Sequence, residues 1–293
     1  ETVAILSPGD MGHAVGALLR EHELRVVTCL AGRSARTQAL SQKAGIIDIP
    51  TLEELVRQSD VVLSITVSEV VPSLCRQVAG AIRSTGSDML FAECNAIAPQ
   101  LAREMESLIS GAGGRFVDAS IIGHPPRDGS SPRFYTSGPR ASELAGLQEF
   151  GLDVRPIGPD TGRASGIKMC YAAMNKGSLA LYTQLLMAAE VMGLSDDLLS
   201  EFRASQPDAC QRMESAVPGL PAKSRRWVSE MQQIEATFED LGLTPFIFRG
   251  IAEMCRLIGG TPLGLETPET KDAARTLQQT IEQLVASPQP ETP

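Results

Sequence analysis

Lys168 stands in the stretch GRASGIKMCYAAMNK, residues 162–176. A lysine whose neighbours exclude water holds its proton less tightly, which suits it to protonate an alkoxide as a hydride reaches the carbon, or to act as base in the reverse direction. The small residues Gly162, Ala164, Ser165 and Gly166 before it let backbone come close to a bound molecule. At helical spacing Tyr171, Ala172 and Asn175 share its face. Tyr171 and Asn175 carry groups that either bond a substrate oxygen or find partners inside a helical core. The apolar or soft neighbours Ile167, Met169, Cys170 and Ala173 predict a largely buried stretch, with Cys170, turned away from the lysine by about 100° per residue, as core. The competing reading is a surface lysine on an amphipathic helix.

A second kind of chemistry is written at residues 5–12, ILSPGDMG. A turn that holds a pyrophosphate between a strand and a helix needs a tight first bend, a close backbone approach at its second glycine and a small residue where helix meets strand. Gly9 and Gly12 fill the second and third roles. Ser7 stands at the first and is expected to make the bend at negative φ. Pro8, Asp10 and Met11 complete the turn, and the helix starting near Asp10 aims its free N–H groups at the phosphates. At the end of the next strand the chain reads Ala31-Gly32-Arg33-Ser34-Ala35-Arg36, with no acid to bind the ribose hydroxyls of NAD. Arg33 can stack on adenine and pair with a 2′-phosphate, Ser34 can donate a hydroxyl and an N–H, and Arg36 adds a second charge, which together favour NADP(H). The competing reading is a solvated basic helix start, although a first helical turn ordinarily favours acids.

These residues need elements to hold them, and the first half of the chain supplies alternating ones. Strands are expected at Thr2–Leu6, Leu24–Leu30, Val61–Thr66, Met89–Glu93 and Phe116–Ala119. Helices are expected at Gly12–Glu21, Ser34–Ala44, Leu52–Gln58, Val71–Arg83 and Pro99–Ser110. Strict alternation means βαβ units on a mainly parallel, doubly wound sheet. After Pro159 no β run follows. Apolar residues recur at helical spacing for close to thirty residues from Ala164, then over Asp196–Arg203, Ser224–Leu241 and Pro245–Leu257. The boundary is therefore drawn at 160, with an α/β cofactor domain over 1–160 and an all-α domain over 161–293. The Pro-rich tail SPQPETP is expected to fray.

Bulk properties narrow the class further. With 293 residues, 43% of them hydrophobic and 21% charged, the chain buries a full core. Its formal charge of −9 argues against a nucleic-acid surface. Six cysteines without a CxxC pair and three histidines without HExxH spacing point to reduced thiols in a cytoplasmic protein and no metal site. No charged leader and no apolar run near 18 residues supports export or membrane insertion.

In their order, SPGDMG, the strand-end GRS, ECNAIAP (93–99), DASIIGHPP (118–126) and GRASGIKMCYAAMNK resemble the β-hydroxyacid dehydrogenase superfamily, which includes 3-hydroxyisobutyrate and 6-phosphogluconate dehydrogenases and imine reductases. The resemblance covers nearly the whole chain. It implies a Rossmann domain, a long interdomain helix, a helical C-terminal domain, a homodimer, and oxidoreduction of a carbonyl or alcohol with Lys168 as general acid and base. The alternatives it leaves are imine reduction and a catalytically silent NADP-binding scaffold or sensor. By the same resemblance the nucleotide fingerprint falls on Ser7, Gly9, Met11 and Gly12, and Thr66-Val67-Ser68 pass along the nicotinamide ribose. Asn95 stands where a serine is usual and can donate to a cofactor or substrate oxygen. The superfamily's substrate-clamping Ser-Gly-Gly is here Ile122-Gly123-His124, the asparagine four residues past the lysine is Ala172, and a later Lys-Asp pair is Ser229-Glu230, departures that weaken the case for a small hydroxy acid. His124 is the candidate substrate contact or else a loop-packing residue. His13 is expected beside the phosphate turn and His22 on the surface. Arg225, Arg226 and Trp227 line an anionic substrate pocket or form a solvated helix face.

Overall fold

In this computed structural model, residues 1–127, 130–267 and 269–287 are described. The tail from residue 288 onward, expected to fray, lies outside them. The chain divides into two compact units, Glu1–Met169 and Cys170–Pro293.

The first unit is built on one eight-stranded sheet. Its strands are β1 (Thr2–Leu6), β2 (Arg25–Thr28), β3 (Ile47–Asp48), β4 (Val61–Ser64), β5 (Leu90–Glu93), β6 (Arg115–Ile122), β7 (Arg133–Ser137) and β8 (Asp153–Pro156), in the order β3-β2-β1-β4-β5-β6-β7-β8. Every pairing is parallel except β6 with β7. Parallel strands covered by helices on both faces read as continuous apolar runs. In β1, Val3 and Ile5 enter a core with Val15 and Leu19, while Ala4 and Leu6 enter another with Leu74, Val78 and Ile82. The helices are α1 (Asp10–Glu21), α2 (Ala35–Lys43), α3 (Leu52–Gln58), α4 (Val71–Thr85) and α5 (Pro99–Ser110). Local chemistry sets their ends. Ser34 and Thr51 cap α2 and α3 by accepting from the N–H of Thr37 and Glu54, at 3.2 and 3.1 Å, and Gly86, at φ +68°, closes α4.

The strand order reverses between β1 and β4, the place where open α/β sheets hold ligands beyond the carboxyl ends of their strands. There Leu6, Ser64, Glu93, Asp118 and Ser137 fall into one row across five strands. The polar members of that row are fully buried.

Strict alternation fails after β6. The next strand returns antiparallel without a helix, and a 3₁₀ segment, Glu143–Phe150, stands between β7 and β8. β3, β7 and β8 escaped the sequence expectation because they are short and partly exposed, so no continuous apolar run marks them.

The long helix α6 (Arg163–Val191) begins in the first unit and continues into the second, which adds α7 (Ser195–Ser205), α8 (Pro207–Ala216), α9 (Pro221–Asp240), α10 (Phe246–Gly260) and α11 (Leu277–Ala286). Leu186, Leu199, Cys210, Met213, Val217, Leu277 and Ile281 form one buried cluster there. α8 was missed because only Cys210 and Met213 mark its buried face. The Thr276 capping box that opens α11 was also missed. No described helix is long and apolar enough to cross a membrane.

Candidate functional site

The turn after β1 is tighter than a negative φ at Ser7 allows. Ser7 takes φ +63°, correcting that expectation, and the Gly9 N–H donates back to its carbonyl at 2.7 Å across Pro8. Close packing of α1 on β1 imposes the bend. A Cβ at Gly12 would lie 3.1 Å from Ile5 Cγ2 and 3.4 Å from the Ser7 carbonyl, so α1 sits directly against β1 and the chain must reverse within a few residues. A left-handed non-glycine residue costs on the order of 1 kcal/mol. Ser7→Gly is accordingly expected to hold or raise stability by up to about 1 kcal/mol, and Ser7→Val to lower it by about 2 kcal/mol, read from thermal midpoints.

Gly9 has a different explanation. Its φ is −77°, and a Cβ added there would meet only the Ser7 carbonyl, at 3.9 Å. Neither strain nor the protein's own packing demands a glycine, so the position fits one left bare for the approach of a phosphate at the start of α1, which has no side-chain cap. His13 folds back on the same turn, its Nδ1–H donating to the Gly9 carbonyl at 2.7 Å. Asp10 pairs with Arg36 at 2.5 Å, tying the starts of α1 and α2 together.

Arg33 follows Gly32, which takes φ +72°, and is half-buried, its backbone bonded to Leu30 and Gln38. The Ser34 hydroxyl is engaged as the α2 cap. Asp48 closes β3 beside the end of β2, where its carboxylate accepts from the Leu30 N–H at 2.9 Å.

At the end of β4 the structure corrects the expectation for Asn95. Its Oδ1 accepts from the Thr66 N–H at 2.6 Å, and its amide donates to the carbonyl and hydroxyl of Ser64, each at 3.1 Å, and to Glu93. The residue is 5% exposed and holds the loop of Thr66, Val67 and Ser68 from beneath instead of reaching outward. Below it Glu93 has no exposed surface, and burial pushes its carboxyl up to about 7 against the bonds from Ser64 and Asn95 that favour the charge, while Asp118 raises it further. The same burial, with Glu93 alongside, raises the Cys75 thiol.

A carboxyl whose folded-state affinity for the proton exceeds that in the unfolded chain stabilises the fold fully below about pH 4.5 and loses that contribution as pH rises through about 7. The full effect is on the order of 3 kcal/mol. Glu93→Gln, which keeps an acceptor for Asn95, is expected to flatten the fall in stability between pH 5 and 8 in urea titrations; an unchanged slope would place the titrating group elsewhere.

Lys168 is half-buried on α6, and its Nζ donates to the Ile121 carbonyl of β6 at 2.6 Å. The first turn of α6 is held by buried Asp118, also of β6, through bonds with Ser137, Gly162 and Ser165. The surrounding stretch is less buried than its composition suggests. Ile167 is 38% exposed, and Cys170, expected in the core, is exposed. A long helix with apolar residues on every side has more of them than one core can cover.

Of the other sequence candidates, Ile122 is buried at 2% in the last position of β6, whereas Gly123, at φ +133°, and His124 are exposed beyond the strand end. Tyr171 is 42% exposed. The Asn175 Oδ1 accepts from Arg212 at 2.6 Å, so this oxygen has a protein partner. In the second unit Lys176 pairs with Glu230 and stands 5.0 Å from the centre of the Trp227 ring, while Arg225 donates to the Gly259 carbonyl at 2.8 Å. Arg226 and His22 are exposed. Among the described residues no group of three or more His, Cys, Asp or Glu side chains is arranged to hold a metal. Residues 128 and 129, beside the 124–127 loop, lie outside the described residues.

Comparison with known proteins places this geometry. Residues 2–142 match the NAD binding domain of 6-phosphogluconate dehydrogenase, and residues 189–258 match a domain of unknown function, DUF1932. These two matches, with the structural likenesses that follow, support the β-hydroxyacid dehydrogenase-like superfamily. An uncharacterised 28.5 kDa protein of Methanothermus fervidus is 24% identical over 87% of this chain and 98% of its own. A solved conserved protein of unknown function, described as structurally similar to 3-hydroxyacid dehydrogenases, is 27% identical, with a TM-score of 0.65 over 88% of this chain and 99% of that one. The 3-hydroxyisobutyrate dehydrogenase of Mycobacterium tuberculosis shares the fold at 17% identity, with a TM-score of 0.68 over 97% of this chain and 99% of that one. The chain therefore carries a nicotinamide-dinucleotide-binding fold of the dehydrogenase and reductase type.

Proposed function

We propose that the protein is an NADPH-dependent oxidoreductase that interconverts a carbonyl and an alcohol, with Lys168 as general acid and base. The observation that carries this reading is the bond from Lys168 Nζ to the Ile121 carbonyl, which holds an ammonium at the end of β6. When bound, the dinucleotide supplies or takes up the hydride. Lys168 gives a proton to the oxygen that changes from carbonyl to hydroxyl and recovers it in the reverse direction. Ser7, Pro8, Gly9, Asp10, Met11 and Gly12 hold the pyrophosphate on the start of α1. Arg33 carries the choice of the 2′-phosphate, Arg36 contributes from its pair with Asp10, and Asn95 supports the 66–68 loop along the nicotinamide ribose. Gly123 and His124 face the substrate. The cofactor module spans 1–160 and the helical module 161–293, in a cytoplasmic homodimer whose six cysteines are free.

The test is NADPH consumption by the purified protein against semialdehyde acids, keto acids and cyclic imines, with NADH in parallel. Turnover of a carbonyl with NADPH ahead of NADH supports the reading. Faster NADH consumption overturns the cofactor choice, and turnover confined to imines overturns the substrate class.

A further inference from the structure

The residue before the helix that carries Lys168 is a glycine, which has no side chain to cap it. An α-helix leaves its first N–H groups without partners inside the helix, and a serine or aspartate just before it ordinarily meets them. Here Gly162, at φ +104°, precedes Arg163, whose N–H turns to the Asp160 carbonyl at 3.4 Å, and the neighbouring N–H groups find their partners in the sheet. Asp118 Oδ2 accepts from the Gly162 N–H at 2.8 Å, the Ser165 N–H at 3.2 Å and the Ser137 hydroxyl at 2.7 Å, and Oδ1 accepts from the Ser165 hydroxyl at 2.6 Å. Ser137 in turn accepts from the Ala164 N–H at 3.0 Å. With four donors around it, a carboxylate that has no exposed surface is fully satisfied, and its charge favours the positive end of the helix.

Asp118 and Ile121 belong to one strand, while Ser165 and Lys168, three residues apart, lie on one face of α6. The helix is thus pinned to β6 at two points, Asp118 to Ser165 and Ile121 to Lys168. One point alone leaves a helix free to turn about its axis; two fix its rotation and its advance. We propose that Asp118 is a positioning residue for Lys168, setting the first turn of α6 so that the ammonium is held at the end of β6. Its consequence for catalysis rests on the proposed role of Lys168, whereas the tie itself can be read without turnover. Preorganisation of this kind acts on the rate of the chemical step and leaves cofactor binding alone.

The experiment compares the wild type with Asp118→Ala, Asp118→Asn and Ser165→Ala. Acylation of each lysine by a small amine-reactive ester is followed by mass spectrometry, together with NADPH affinity and NADPH-linked kcat on the carbonyl panel. Asp118→Ala is expected to change acylation of Lys168 about 5-fold relative to the other lysines, the worth of a hydrogen bond of about 1 kcal/mol. It is expected to lower kcat about 10-fold with NADPH affinity unchanged, Asp118→Asn to restore most of both, and Ser165→Ala to fall between. In a Lys168→Ala background Asp118→Ala is expected to cost no further kcat, which a merely structural role would not produce. Unchanged acylation of Lys168, or kcat losses that add, overturns the proposal. Should Asp118→Ala fail to fold, Ser165→Ala and Asp118→Asn carry the same comparison. A wild type that turns over nothing while acylation responds as expected would overturn the oxidoreductase reading and leave the tie standing.

Discussion

Lys168→Ala is expected to lower NADPH-linked carbonyl reduction by about 10²-fold or more, the typical worth of a positioned general acid. The change is local. Alanine keeps α6 helical, the Asp118 cap does not involve the lysine side chain, and the 7–12 turn lies on another strand. Removing the bond from Nζ to the Ile121 carbonyl is expected to cost near 1 kcal/mol of stability. NADPH affinity, read by quenching of protein fluorescence or by calorimetry, is expected to stay within a factor of about two, while kcat and kcat/KM fall together, as they do when an interaction made only in the transition state is removed. A loss of less than about 3-fold would exclude Lys168 as the proton donor.

Arg33→Ala is expected to raise KM for NADPH by about 10- to 100-fold and to leave KM for NADH nearly unchanged, since a charge-assisted bond to a 2′-phosphate is worth about 1.5–3 kcal/mol. Arg33 outranks Arg36 in this respect because Arg36 is paired with Asp10 and shares its charge with that carboxylate. The bonds of Arg33 to Leu30 and Gln38 run through its backbone, which alanine retains. Equal losses for the two cofactors would show that Arg33 serves the adenine or the fold and that the 2′-phosphate is held elsewhere.

Much of the first unit was legible because its signals are local. Helices α3 and α5 begin and end at the expected residues, set by the Thr51 cap and by Pro99 in the first turn. Strands β1, β4 and β5 were legible because burial on both faces leaves unbroken apolar runs. β7 and β8 were not, since a strand with partly exposed residues beside a turn has no run to show. Glu93 and Asp118 lay within recognisable motifs, but a carboxylate in a string of letters looks the same whether it faces water or accepts four hydrogen bonds.

The sequence by itself determined the order of the elements from β1 to β6 apart from β3, the change from strands to helices after residue 160, the small residues at 9 and 12, and the absence of an acid from 31–36. Each of these depends on a residue and its near neighbours. Only the tertiary structure decided that Ser7 goes left-handed, that Asn95 turns inward, that Cys170 is exposed, and that Asp118 holds the helix of Lys168. The partners that decide Asn95 and Asp118 lie 29 and 47 residues away along the chain and are brought close only by the register of the sheet. Whether a polar side chain reaches out to a ligand or supports the backbone beneath it is settled by those distant partners, because a buried donor or acceptor takes whichever partner the fold sets beside it.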